Sequence, residues 1–246
     1  GSALGGQFQV NAYTTLAQQF PAIAAGSAGN FVVAWESNGS SGTDTSSTSI
    51  QTQRYAADGA ALGGQIQVNT YTTDGQLNPQ VAADSAGNFV VVWNSYSSTG
   101  TDGDSQSIQG RRYAADGTAL SGQFQVNTYT TSGQRYPAVA ADSAGNFVVV
   151  WDSFGSAGTD RSSFSIQAQR CAANGAALGA QFQVNTYTTA AQRYPSVAVD
   201  GAGNFVVTWA SRYQDGSDYG VFGQRFNPAG APAGSEFQVN THTTSA

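Results

Sequence analysis

Four tryptophans recur along this chain of 246 residues at a fixed interval of 58 residues. They are Trp35, Trp93, Trp151 and Trp209. Four prolines keep the same interval, at Pro21, Pro79, Pro137 and Pro195. A fixed period of this size is typical of solenoids, propellers and other repeat arrays. We therefore predict a single domain over residues 1–246, with repeats at about 7–64, 65–122, 123–180 and 181–235 and a closing strand at 236–240.

The third repeat illustrates the strand pattern. Gln123–Asn127 alternates apolar and polar side chains, as a half-buried β-strand does. Further strands are predicted at 137–141 and 165–170, and no segment shows helical periodicity. Between them, Phe147–Trp151 is apolar on both faces and must be covered on both.

A β-propeller covers an inner strand twice, because each sheet stacks between two neighbouring blades. The predicted fold is therefore all-β, a four-bladed β-propeller made of four four-stranded repeats, with an open β array as the alternative. The alternating strand occurs five times and the other strands four times. One copy is thus surplus, and it could complete a blade from the opposite terminus or pair with another chain, since an uncovered strand edge favours association.

Composition excludes several classes of partner. The net charge is −6, the sequence pI is about 4.4 and the chain has no lysine, so nucleic acid finds no basic patch. No run of 18 apolar residues exists, so no membrane insertion is expected. The single cysteine, Cys171, cannot form an intrachain disulfide, and the single histidine is His242. Low charge and 30 glycines suit a secreted or cell-surface bacterial protein.

Two strings carry a family resemblance. Asp142–Trp151 and Phe182–Thr189 resemble tandem repeats of large secreted bacterial surface proteins. The Asp-x-x-Gly turn at Asp142 is also loosely similar to the Asp-box of sialidase-like propellers and to FG-GAP repeats. It departs from the first because Trp151 follows Asp142 by nine residues, and from the second because the Asp-rich calcium loop is missing. The resemblance implies a propeller-like fold in an extracellular context.

The two long loops of each repeat are expected to share one rim, where ligand contacts would concentrate. An aspartate follows each tryptophan by nine residues, at Asp44, Asp102, Asp160 and Asp218. A glutamine precedes each proline by three residues, and the predicted contacts are Gln76, Gln134 and Gln192. The variable residues add Arg135, Tyr136, Arg193, Tyr194, Tyr96 and Arg212. Alternatively, the aspartates cap loops, the glutamines satisfy buried backbone groups and the tryptophans pack between blades.

Carboxylate, amide and guanidinium groups beside aromatic rings bind sugars, so glycans or a surface polysaccharide are the predicted partners. The predicted function is a lectin-like carbohydrate-binding module with several equivalent sites. The alternative is a structural, self-associating adhesion module without a small ligand.

The chain is not expected to be an enzyme. A glycosidase needs two carboxyl groups beside one bond, and Glu36 and Glu236 are the only glutamates. No cofactor is expected. Calcium is an alternative, because Asp102–Asp104 and Asp215–Asp218 offer hard oxygen ligands.

Overall fold

The structure is a computed structural model, and it describes residues 5–40, 42–98, 100–156 and 158–241. His242 lies outside the described residues. Over these ranges the chain forms sixteen β-strands. In the same ranges, no helix is long and apolar enough to cross a membrane.

The strands have similar lengths in every repeat, except for the short fourth strands of the last three sheets. Their bounds are β1 (Gln18–Ala25), β2 (Phe31–Asn38), β3 (Thr48–Tyr55), β4 (Ala61–Gln67), β5 (Gln76–Ala83), β6 (Phe89–Tyr96), β7 (Gln106–Tyr113), β8 (Phe124–Gln125), β9 (Gln134–Ala141), β10 (Phe147–Phe154), β11 (Phe164–Cys171), β12 (Phe182–Gln183), β13 (Gln192–Val199), β14 (Phe205–Arg212), β15 (Tyr219–Phe226) and β16 (Phe237–Gln238).

Each sheet consists of four consecutive antiparallel strands, so the sheets are β1–β4, β5–β8, β9–β12 and β13–β16. We call them blades 1 to 4. The first strands of successive blades contact one another and line a common cavity, which makes them innermost. The all-β, four-bladed propeller is thereby confirmed. The alternating strand is the outer strand of each blade, so each blade crosses the boundary between two sequence repeats.

Apolar clusters between blades form the core. Between blades 1 and 2, Ala34 and Ile50 of blade 1 pack with Val91 and Trp93 of blade 2, and all four side chains are fully buried. Trp151 and Trp209 occupy equivalent clusters at the next two interfaces. Alternate side chains of a strand point to opposite sides of its sheet. The second strand of a blade therefore contributes apolar side chains to both of its faces. Trp93, Trp151 and Trp209 therefore pack between blades, as the alternative interpretation predicted, whereas Trp35 packs with Val10 and residues of its own blade.

The short turns lie on the rim opposite the long loops. In blade 3, the carboxylate of Asp142 accepts hydrogen bonds from the backbone N–H groups of Ala144 and Asn146, each at 2.9 Å. Gly145 has φ = 86°, a conformation that glycine adopts without steric strain. Gly26 replaces the aspartate in blade 1, which indicates that this position serves the turn.

Candidate functional site

A cavity of about 330 Å³ lies on the propeller axis, and we call it the axial cavity. Its wall contains one X-Pro pair from the inner strand of each blade. The pairs are Phe20–Pro21, Asn78–Pro79, Tyr136–Pro137 and Tyr194–Pro195. The four blades thus place different side chains at one equivalent position, so the cavity is asymmetric although the fold repeats.

A bulge in each inner strand directs these side chains. The pairing of the inner strand with the second strand shifts register at this point in every blade. The residue before each proline has a positive φ: 52° at Phe20, 53° at Asn78, 50° at Tyr136 and 56° at Tyr194. A residue before proline normally adopts an extended conformation, so four left-handed residues here are strained. Strain and bulges of this kind are common beside functional sites.

Two tyrosines dominate one side of the axial cavity. The ring centroids of Tyr136 and Tyr194 lie 5.2 Å apart in an edge-to-face arrangement. The guanidinium of Arg193 lies 4.7 Å from the ring centroid of Tyr194 and 4.5 Å from that of Phe164. Cation–π contacts of this geometry hold the arginine and the rings together. Tyr194 is still 54% exposed, so its ring is available to a ligand.

Asp152 lies directly behind this wall and is completely buried. Its Oδ2 accepts a hydrogen bond from Nε of Arg193 at 3.3 Å, and its Oδ1 lies 3.8 Å from Nε of Arg135. The nearby backbone N–H of Tyr194 also favours the charged carboxylate. Burial nevertheless raises the pKa of Asp152 to about 6, because desolvation outweighs the two guanidinium groups. A carboxyl group with this pKa can hold or release a proton near neutral pH.

Glu36 occupies the equivalent position in blade 1, directly after Trp35, and it is also buried. Its carboxylate accepts the backbone N–H of Asn78 and, at 3.3 Å, the side-chain amide of Gln19. Burial raises the pKa of Glu36, and these hydrogen bonds partly offset the effect. Glu36 therefore bonds the backbone of Asn78, which lines the axial cavity, and Asp152 bonds Arg193, the residue before the cavity residue Tyr194.

Three of the predicted aspartates are bonded to other side chains and are not exposed on the surface. Asp44, Asp102 and Asp160 are buried in the long loops. Each accepts a hydrogen bond from an asparagine that follows the outer strand of its blade: Asn69 at 2.7 Å, Asn127 at 2.7 Å and Asn185 at 3.0 Å. The alternative reading, that these residues fix the loops, describes their observed contacts. Asp218 differs, because it is exposed and pairs with Arg212 at 2.8 Å.

The predicted glutamines are also buried. Gln76 accepts the indole N–H of Trp93 at 2.8 Å, and Gln134 and Gln192 each accept an asparagine amide at 3.3 Å. Tyr96 is 42% exposed and lies outside the wall of the axial cavity. Of the predicted contacts, the structure thus brings Arg135, Tyr136, Arg193 and Tyr194 together beside the axial cavity, and it pairs Arg212 with Asp218 elsewhere. As ligand contacts, the remaining residues stay predictions.

Replacing Asn127 with alanine should destabilise the chain by about 2 kcal/mol. Its Oδ1 accepts the N–H of Ile108 at 2.8 Å and its Nδ2 donates to Asp102, so the variant leaves two buried polar groups unpaired. Urea unfolding measures the change. The neighbouring Thr128→Ala removes only an exposed hydrogen bond and should have little effect. Equal losses in the two variants would contradict the assigned role of Asn127.

The described residues contain no group of three or more Asp, Glu, His or Cys side chains that could hold a metal ion. At one of the proposed calcium positions, Asp102 is engaged with Asn127 and Asp104 accepts the N–H of Ser132 at 2.8 Å. The calcium alternative remains an untested prediction.

The site residues predicted from the sequence did not include Asp152 or Asn78. The available signal was the residue after each tryptophan, which reads Glu36, Asn94, Asp152 and Ala210. A polar residue continuing an apolar strand indicates a buried polar group that needs a partner. The second signal was the variable residue before each proline.

Neither a protein-family model nor a curated protein sequence matches the chain. Solved structures share its fold. A Hadza microbial sialidase superimposes with a TM-score of 0.60 at 14% identity, covering 93% of this chain and 47% of that one. An α-L-arabinanase of Penicillium chrysogenum, complexed with arabinobiose, has a TM-score of 0.60 at 13% identity over 93% and 68% of the two chains. A thermostable family-43 glycoside hydrolase has a TM-score of 0.53 at 10% identity over 96% and 76%.

These comparisons establish the class of fold, a β-propeller of the kind found in carbohydrate-active enzymes. The chain spans about half the length of the sialidase. The expectation that the chain is not an enzyme is contradicted, because the sialidase, the arabinanase and the family-43 glycoside hydrolase that share its fold are enzymes. That expectation counted glutamates and the aspartates nine residues after each tryptophan, and it overlooked the buried Asp152. The likeness to Asp-box and FG-GAP repeats has no support from a family model.

Proposed function

We propose that the axial cavity binds a carbohydrate and supports cleavage of its glycosidic bond. The observation that carries this proposal is the placement of two tyrosines in the wall of one asymmetric cavity, with two buried carboxyl groups behind that wall that bond Arg193 and the backbone of Asn78. The fold itself occurs in a sialidase and an arabinanase, which is consistent with carbohydrate as the substrate class.

The tyrosines would bind the sugar. The exposed ring of Tyr194, with Tyr136 at its edge, offers an apolar face to the C–H groups of a pyranose or furanose. Asn78, Gln80 and Ser196 also line the cavity and provide hydrogen-bonding groups for hydroxyls. A pocket with aromatic walls and a few polar groups is the usual form of a small-molecule site.

Asp152 and Glu36 would supply the two carboxyl groups that glycoside hydrolysis requires. In this reaction one carboxyl group donates a proton to the leaving glycosidic oxygen. The other acts as a nucleophile or takes a proton from the attacking water. Asp152 suits the acid role because its pKa of about 6 keeps part of the population protonated near neutral pH. The side chains of Arg135 and Arg193, which cover Asp152, are partly exposed and would move aside to open it to the cavity.

Replacing Tyr136 or Tyr194 with alanine should weaken carbohydrate binding at least about tenfold, because an aromatic anchor at a binding site contributes more than 1 kcal/mol. A glycan array identifies the ligand, and calorimetry measures affinity for the best hit. Product analysis by mass spectrometry tests cleavage of the same glycan. Tyr96→Ala is the matched control, since Tyr96 is similarly exposed but lies outside the cavity wall.

The outcomes separate the possible sites. Loss of binding in the Tyr136 and Tyr194 variants alone supports the axial cavity. Loss in Tyr96→Ala alone moves the site to the long-loop rim and supports the lectin-like module with several equivalent sites. Binding without any product removes the catalytic part of the proposal. A secreted or cell-surface location is proposed on composition only.

A further inference from the structure

Blade 4 leaves one apolar face uncovered. Val221 and Val239 occupy the positions that Ile50 and Val68 hold in blade 1. Ile50 and Val68 are fully buried against blade 2, whereas Val221 is 41% and Val239 50% exposed. The same sequence pattern therefore produces a covered face in blade 1 and an open face in blade 4, because no blade formed by the described residues packs on this face of blade 4.

Blade 1 leaves the complementary face open. Ile23 is 65% exposed, while Val81, at the same position in blade 2, is 7% exposed. Apolar clusters join blade 1 to 2, 2 to 3 and 3 to 4, but the described residues form no such cluster between blades 4 and 1. We call this gap the seam, with Ile23 and Trp35 on one side and Val221 and Val239 on the other.

Residues 5–11 lie within the seam and repeat the sequence of residues 63–69, with one exchange, Phe8 for Ile66. Val10 packs with Trp35 and Tyr55 of blade 1, and the Tyr55 hydroxyl donates to its carbonyl at 2.9 Å. The following N–H of Ala12 donates to Gln65 at 3.0 Å, as the N–H of Thr70 donates to Gln123 at 2.9 Å. The segment therefore sits on blade 1 as an outer strand sits on the next blade.

In the four blades, the equivalent segment pairs with the third strand of its own blade. Asn69, for example, accepts the N–H of Ile50 at 2.9 Å. Among the described residues, none takes the place of Ile50 beside Asn11. A cavity of about 300 Å³ lies there instead, lined by Val10, Val33 and Trp35 among others. Residues 7–11 thus hold the position of an outer strand, and among the described residues no inner strands accompany them as they do in the four blades.

We propose that the seam is the docking site for one further blade of the same repeat, whose outer strand is residues 7–11. Its occupant is a three-stranded antiparallel unit with apolar side chains on both faces. One face packs on the exposed Ile23 and fills the cavity beside the buried Val33 and Trp35, and the other packs on Val221 and Val239. The fit follows from the repeat itself, since both sides of the seam carry the residue pattern that already forms three blade interfaces.

The test extends the chain with one such three-stranded unit. A copy of residues 134–174, which contains three strands of blade 3, is joined ahead of Gly1. The junction then reads Asn-Gly-Ser-Ala-Leu-Gly, matching Asn174–Gly179 except for one serine. We expect a higher Tm and at least about tenfold slower amide exchange in β1, β14 and β15, because their open faces become covered.

Two controls make this result specific. The same extension is added to a chain carrying Ile23→Glu and Val221→Glu, which places a charge on each side of the seam. Both residues are exposed, so these substitutions should barely change the Tm of the unextended chain, unlike Val81→Glu, which places a charge in a core. They should abolish the gain from the extension.

An extended chain with the Tm and exchange rates of the parent would overturn the proposal. So would an equal gain in the doubly substituted chain, because the added unit would then be acting elsewhere. Neither readout involves carbohydrate, so the proposal can fail or succeed independently of the proposed function. Self-association through the surplus strand remains a separate prediction.

Discussion

Replacing Trp93 with alanine should destabilise the chain by about 3–5 kcal/mol and lower the Tm by roughly 6–20 °C. Trp93 is fully buried between blades 1 and 2, and its indole N–H is bonded to Gln76 at 2.8 Å. The variant leaves a cavity that the rigid sheets on either side cannot close. It also leaves the buried Gln76 oxygen without this partner. Thermal unfolding followed by circular dichroism measures the shift.

Leu178→Ala is the control for this substitution. Leu178 is 39% exposed and lies outside the interblade clusters, so its loss should have a small effect. A Tm for Trp93→Ala within the range of Leu178→Ala would contradict the role of the tryptophans as the packing elements between blades.

The second large effect concerns Asp152 and pH. The pKa of Asp152 is about 6 in the folded chain and 3.8 as its ordinary value, so the folded state binds the proton more tightly. The stability that this provides is complete below about pH 4 and is lost as the pH rises through about 6. The free energy of unfolding of the parent should therefore fall by up to about 3 kcal/mol over this range relative to Asp152→Asn, which cannot titrate.

Urea unfolding of both chains at a series of pH values gives this difference directly. Asp200→Asn is the control, because the pKa of Asp200 is shifted in the opposite direction. Hydrogen bonding, chiefly from the Asn204 side chain, lowers the pKa of the exposed Asp200, so its contribution is lost as the pH falls. A flat difference between the parent and Asp152→Asn from pH 4 to 7 would show that Asp152 is not a buried, desolvated acid. If the chain cleaves a glycan, Asp152→Asn should also abolish cleavage.

The sequence predicted the repeat, the strands and the tryptophans that pack between blades, because each is a local or periodic property. The string Phe147–Trp151 is apolar on both faces, and only stacked sheets cover such a strand twice. Turn chemistry at Asp142–Asn146 is likewise local, since the aspartate bonds backbone groups within four residues.

The site was only half predictable. Arg135, Tyr136, Arg193 and Tyr194 stood out because they vary between otherwise similar repeats. The sequence did not show where these side chains meet. Their meeting point depends on left-handed residues before proline, a conformation that an X-Pro dipeptide disfavours. The buried aspartates of the long loops have structural contacts that the sequence did not predict, and their role as ligand contacts stays a prediction. A conspicuous carboxylate in a loop can be bonded to a distant asparagine, and sequence spacing does not reveal that bond.

The sequence by itself determined the period, the strand content and the two-faced packing of each blade, because these follow from side-chain patterns within one repeat. The tertiary structure decided which side chains meet on the axis and which face of the first and last blades stays open. Asp152 and Arg193 belong to different repeats, and their hydrogen bond exists only once blades 3 and 4 stack. The seam is also a tertiary property, since identical apolar patterns are buried or exposed according to whether a neighbouring blade is present.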